Sequence, residues 1–180
     1  RRGVRLLRRA ARVREFNALR RYPTGAVTRT VGARNIAHRI VASERGEQFF
    51  DGPRECGYGG LKNDGRWGNV AADLVEEYDL NGNSWVLQMD CEKGFLLEAL
   101  KDLRPTMRVC GLEDSTYARA KIRRGLQRFV HPYRLNGYDA KQFHLVVAIG
   151  RVYTGNLAHA IATLKEIRRV SLRAFVTLAA

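Results

Sequence analysis

The chain has 180 residues, 45% of them hydrophobic and 28% charged. That is the length of one domain with enough apolar content for a buried core, which excludes a mainly disordered chain, and no apolar run approaches the roughly 18–20 residues of a membrane-spanning helix. Lys and Arg total 32 against 18 acids, a net charge of +14, and 26 of the 32 are Arg, a guanidinium-rich balance suited to nucleic acid or another polyanion.

Most of the excess lies at the N-terminus. Residues 1–29 hold ten Arg and a single acid, Glu15. Val4, Leu7 and Ala11, with Phe16 and Leu19, recur at helix-like spacing, and Pro23 ends the segment. The spacing predicts a basic amphipathic helical arm. Such an arm fits a mitochondrial targeting sequence, an RNA-binding segment or a helix lying on a membrane surface, and equally a solvated tail. Its candidate polyanion contacts are Arg1, Arg2, Arg5, Arg8, Arg9, Arg12, Arg14, Arg20 and Arg21.

Residues 33–50 read as a helix on Ile36, Ile40, Val41 and the Phe49–Phe50 pair, weakened near Gly46. Residues 51–69 are rich in glycine but hold Tyr58 and Trp67, so they form a structured loop rather than a linker. Residues 70–80 form a short amphipathic helix, and NGNS at 81–84 is a turn. From there strand and helix alternate: strand 84–89, helix 94–103, strand 107–112, a basic helix 115–129 with Ser115 as N-cap, an apolar strand 144–150, helix 157–170 and strand 173–179. Leu157, Ile161, Leu164, Ile167 and Val170 fall on one face of the last helix. This order predicts an α/β, doubly wound, mostly parallel sheet with helices on both faces. In the basic helix, Arg123 and Arg124 are further candidate phosphate contacts. The three cysteines (Cys56, Cys91, Cys110) and four histidines show no metal-ligand spacing, so the thiols read as reduced and buried, and no metal is expected.

Several stretches together resemble one family. CGYGG (56–60) and DGRW (64–67) precede a helix and the strand–loop VLQMDCEKG (86–94), followed by VCGLEDS (109–115), QFHLVVAI (142–149) and RAFVTLAA (173–180). In order and spacing these resemble class I S-adenosylmethionine-dependent methyltransferases over residues 30–180. The resemblance implies a Rossmann-like core at 85–180, preceded at 30–84 by cap helices and the glycine/aromatic loop. It also implies a sheet truncated after its fifth strand, where the family has two more.

The family's loop pattern is Val-Leu-Asp-Val-Gly-Cys-Gly-Lys-Gly. Here the acid is Gln88, the first two glycines are Asp90 and Glu92, and Gly94 remains. By this resemblance S-adenosylmethionine, if still bound, would meet Gln88, Asp90, Glu92 and Gly94. Its ribose would meet Glu113 or Asp114, and Tyr58 and Trp67 would close the pocket. Two non-glycine residues at glycine positions, and the lost acid, point instead to a degenerate member with no cofactor and no catalytic residue. The expectation is a non-catalytic subunit of a large assembly, touching ribosomal RNA and neighbouring proteins in a mitochondrial ribosome in the matrix. The alternatives are an active methyltransferase, an accessory subunit of a respiratory complex with its arm on the membrane surface, a regulatory partner of an active paralogue, and a bacterial cytoplasmic setting.

Overall fold

The computed structural model describes residues 15–18, 34–150, 152 and 156–177. Of the helical arm expected at the N-terminus only residues 15–18 are described, and they are not helical; all nine of its named arginines lie outside the described residues. Among the described residues, five strands form one sheet: β1 (Trp85–Met89), β2 (Arg108–Leu112), β3 (Val130–His131), β4 (Phe143–Ala148) and β5 (Ser171–Val176). Their order is β3-β2-β1-β4-β5, and every neighbouring pair is parallel. The doubly wound sheet expected from the alternation is therefore present.

The strand sequences explain the layers. Val86 of β1 joins one apolar cluster, whereas Leu87 and Met89 join the other. Central parallel strands are covered on both faces, so both sets of side chains are apolar. One face carries α3 (Arg66–Glu77) and α4 (Phe95–Leu103). The other carries α6 (Leu157–Val170), packed through Thr163, Ile167 and Val170. The expected range of α6 is matched end to end. Its start is fixed by Asn156, whose side chain accepts from the His159 amide.

Four expectations change. The helix expected over 33–50 breaks into α1 (Ile36–Ser43) and α2 (Glu47–Phe50), with Arg45 left-handed at φ 47° between them. The helix expected from residue 70 begins at Arg66, because Gly65 adopts φ 81° and turns the chain there. The basic helix expected over 115–129 is only α5 (Thr116–Lys121). Ile122 then goes extended, with ψ 144°, and is buried against Gly94, where an added Cβ would meet Ile122 at 3.3 Å. Burying that side chain outweighs continuing the helix. A 3-10 turn at Gln127–Phe129 follows, and β3, too short to show a period, comes next. Finally, the apolar stripe of α6 is buried only at its C-terminal end: Leu157 is 75% exposed. Among the described residues no helix is long and apolar enough to cross a membrane, and all three cysteines are free and buried.

Candidate functional site

In a sheet of this order the chain reverses its winding between β1 and β4. Ligands of such folds bind outside the carboxyl ends of the strands at that switch point. Here that place is the loop from Asp90 to Gly94, between β1 and α4.

The backbone of this loop keeps the shape that glycines would give it. Asp90 has φ 48°, Glu92 φ 53° and Gly94 φ 77°. Left-handed geometry therefore recurs at alternate positions, although two of the three residues are not glycine. Each such residue costs on the order of 1–2 kcal/mol, so the surrounding contacts must hold it.

Those contacts come from three directions. The Glu92 amide donates to Glu113 Oε2 at 2.9 Å. Glu113, just past the end of β2, is only 1% exposed. Its carboxylate also accepts from the Ser115 amide at 2.9 Å and pairs with Arg45 at 3.4 Å. The acid expected to face a ribose is thus turned inward, fastening the loop, the start of α5 and the α1–α2 turn to one another. Arg45 lies over the Phe49 and Phe50 rings at 5.0 and 5.6 Å. It was not singled out in the sequence, where it is one arginine among 26.

The Glu92 side chain meets Tyr58, whose hydroxyl donates to Glu92 Oε1. Burial pushes the Glu92 carboxyl up, against the opposing pull of Tyr58 and Arg45. Burial, reinforced by the Glu92 charge, also raises the Tyr58 phenol. Tyr58 stacks on Phe50 at 6.0 Å, and Tyr117 of α5 stacks on the same ring at 6.3 Å. Lys93, buried under this segment, donates to Asp51 at 2.5 Å and to Leu61 O at 2.9 Å. Tyr117 donates to the other Asp51 oxygen at 2.7 Å. Burial alone would raise Asp51, but the bonds from Lys93 and Tyr117 outweigh it and hold the carboxyl below its ordinary value. The glycine/aromatic loop is therefore tied directly onto the 90–94 loop by Tyr58–Glu92 and Asp51–Lys93.

The remaining expected residues scatter. Gln88 lies within β1, 5% exposed, and its Oε1 has no hydrogen-bond partner. Asp90 is half-buried beside Glu92. Asp114 is exposed and accepts from the Tyr133 amide at 2.8 Å. Trp67 sits in the first turn of α3, packed against the core, apart from the Phe50–Tyr58–Tyr117 stack. Arg123 and Arg124 are exposed, and Arg123 pairs with Asp102 at 2.8 Å. A cavity of about 260 Å³ lies between residues 43–46 and 114–116, and one of about 430 Å³ lies beside β3 around His131, Arg134 and Tyr138. Neither is lined by residues 88–94.

No family model and no curated protein matches the chain. Solved structures do. A protein from Pyrococcus horikoshii aligns over 69% of this chain and 57% of its own, at 17% identity and a TM-score of 0.52. A SAM-dependent methyltransferase from Aquifex aeolicus aligns over 56% of this chain and 57% of its own, at 14% identity and a TM-score of 0.44. Coclaurine N-methyltransferase, solved with N-methylheliamine and S-adenosylhomocysteine, aligns over 62% and 34%, at 15% identity and a TM-score of 0.46. The chain thus spans between about a third and somewhat over half of these neighbours' lengths. With its parallel β3-β2-β1-β4-β5 sheet and its loop after β1, the chain shares a Rossmann-like fold with the Pyrococcus horikoshii protein.

Proposed function

We propose that this chain uses the methyltransferase fold as a scaffold, without cofactor or methyl transfer, and that it binds RNA through its arginines as a structural part of a large assembly. The observation that carries the first half is the contact set of Glu92 and Glu113. The Glu92 carboxylate stands at a glycine position of the loop and is engaged by Tyr58. Glu113, the acid that the fold offers to a ribose, is spent on Glu92, Ser115 and Arg45. A cofactor would have to displace both and leave buried carboxylates unpaired, at several kcal/mol. A typical micromolar affinity is worth only about 8 kcal/mol.

The second half rests on charge. Ten Arg in residues 1–29, with Arg123, Arg124 and Arg128 exposed on the folded domain, provide many phosphate contacts without base reading. The targeting-like composition of residues 1–29 extends the proposal to the ribosome of the mitochondrial matrix.

A second reading, an active methyltransferase, is favoured by two specific observations. The left-handed backbone at 90, 92 and 94 is retained, and Gln88 Oε1 is a buried acceptor without a partner. One experiment separates the two. The chain is mixed with a ribosomal RNA fragment and tritiated S-adenosylmethionine over a salt series. The scaffold reading expects RNA affinity that falls steeply with salt, is lost on deleting residues 1–29, and leaves the RNA unlabelled. Label in the RNA, or affinity indifferent to the deletion, contradicts it.

A further inference from the structure

The recess beside β3 is separate from the 90–94 loop. It measures about 430 Å³ and is lined by His131, Pro132, Arg134, Gly137 and Tyr138. No residue of 88–94 or of 113–116 lines it. Leu135 and Tyr138 belong to the same apolar cluster as Ile167 and Val170, so the recess lies at the β3 edge on the α6 side of the sheet.

Three of its lining residues, His131, Pro132 and Tyr138, carry rings, and one of these is fixed in place. The 3-10 turn Leu135–Gly137 is anchored by the buried Leu135. Tyr138 is then held at three points. Its hydroxyl bonds Cys110 Sγ at 3.1 Å, its ring meets that of Phe143 edge-on at 4.9 Å, and its carbonyl accepts from Arg169 at 2.8 Å. A ring held in this way loses little freedom when a planar ligand stacks on it. With its hydroxyl engaged, Tyr138 offers a π surface rather than a hydrogen bond.

Arg134 supplies the charge. It is exposed, and among the described residues its guanidinium has no hydrogen-bond or ionic partner, whereas Arg123 and Arg169 pair with Asp102 and Glu166. No acid lines the recess. Rings beside an unpaired guanidinium suit a nucleobase and its phosphate: an unpaired base stacks on aromatic side chains, and a guanidinium takes the phosphate in bidentate fashion. The volume falls at the low end of the roughly 300–1,000 Å³ of small-ligand sites, which fits one base. Paired RNA keeps its bases stacked within the helix and cannot fill such a recess. We propose that the recess holds one unpaired nucleobase of single-stranded RNA, stacked on Tyr138, with the adjoining phosphate on Arg134. This rests on the reading of the chain as an RNA binder and adds to it a site that distinguishes unpaired from paired strands.

The test follows binding of the whole chain to a fluorescent oligoadenylate, alone and annealed to oligouridylate, over a salt series. Gly137 lines the recess, its backbone is not left-handed, and an added Cβ would meet no atom within 4 Å. Gly137→Leu therefore fills the open space without displacing the walls. It is expected to weaken the single strand by about tenfold and to leave the duplex unchanged. Arg134→Ala, at an exposed side chain, should weaken the single strand and lower the salt slope of its binding by about one. Both variants should melt with the parent. Single-strand binding unchanged in both variants, or an equal loss for strand and duplex, would overturn the proposal and leave RNA binding standing. Failure of the parent to bind either form would overturn the RNA reading as well. Adenosine monophosphate displacing the strand at the strand's own affinity would show a free-nucleotide site and overturn the assignment to RNA.

Discussion

At the scale of single residues, the site is a set of conflicts resolved by local bonds. Glu92 sits in left-handed space that suits glycine, and its bond from Tyr58 helps to hold it there. The two effects are separable. Tyr58→Phe is expected to cost about 1–2 kcal/mol in the parent and close to nothing in a Glu92→Gly background. A double-mutant cycle by urea denaturation reads this coupling, and additive single effects would show that the bond holds nothing. Glu92 also sets a pH dependence. Burial raises its folded pKa above the ordinary 4.5, so the fold favours the protonated carboxyl. That stabilisation is complete below the ordinary value and is lost as pH rises through the raised one. Glu92→Gln removes the titration, so its stability relative to the parent should increase between about pH 4 and about pH 7; denaturation midpoints at both ends check the trend, and a constant difference refutes it. Asp90, Glu92 and Glu113 could be found in the sequence because the family resemblance carries them over onto the loops after the first two strands it implies. Arg45 and Asp51 could not, since their partners are 68 and 42 residues away.

At the scale of elements, the strands and α6 were legible because their apolar periods coincide with their packing. The stops were not, because tertiary contacts set them. Nothing in RAKIRRGLQR marks Ile122 as the residue that leaves the helix; its contact with Gly94 does. β3 escaped for another reason: two residues hold no period. One close approach within the sheet gives a sharp test. A Cβ on Gly111, in β2, would lie 2.6 Å from Cys91 Sγ and 2.9 Å from both Leu97 and Val130. These are the neighbours that join the candidate loop, α4 and β3 to the sheet. Gly111→Ala is therefore expected to destabilise by about 1–3 kcal/mol, lowering the melting temperature by several degrees; an unchanged melting temperature would mean that this junction is loosely packed.

At the scale of the whole molecule, the carboxyl end of the sheet and its lateral edge are covered by different parts of the chain. Its carboxyl edge at β1 and β2 is closed over by the chain's own Tyr58, Arg45 and Lys93. At its lateral edge the Tyr78 hydroxyl donates to Ala174 O at 3.4 Å, and Phe16 packs edge-on against Phe175 at 6.0 Å. The charge asymmetry was legible in the sequence; the open stripe of α6 was not, because an apolar stripe reads the same whether or not something covers it. The account stands or falls on the loop at 90–94. Melting of the purified chain is followed while S-adenosylmethionine is raised to about 1 mM. Ligand at about 100 times its dissociation constant would add about 2.7 kcal/mol, or roughly 5–10 °C for a domain of this size. The account predicts no shift at any concentration, and a saturable rise of several degrees would contradict it.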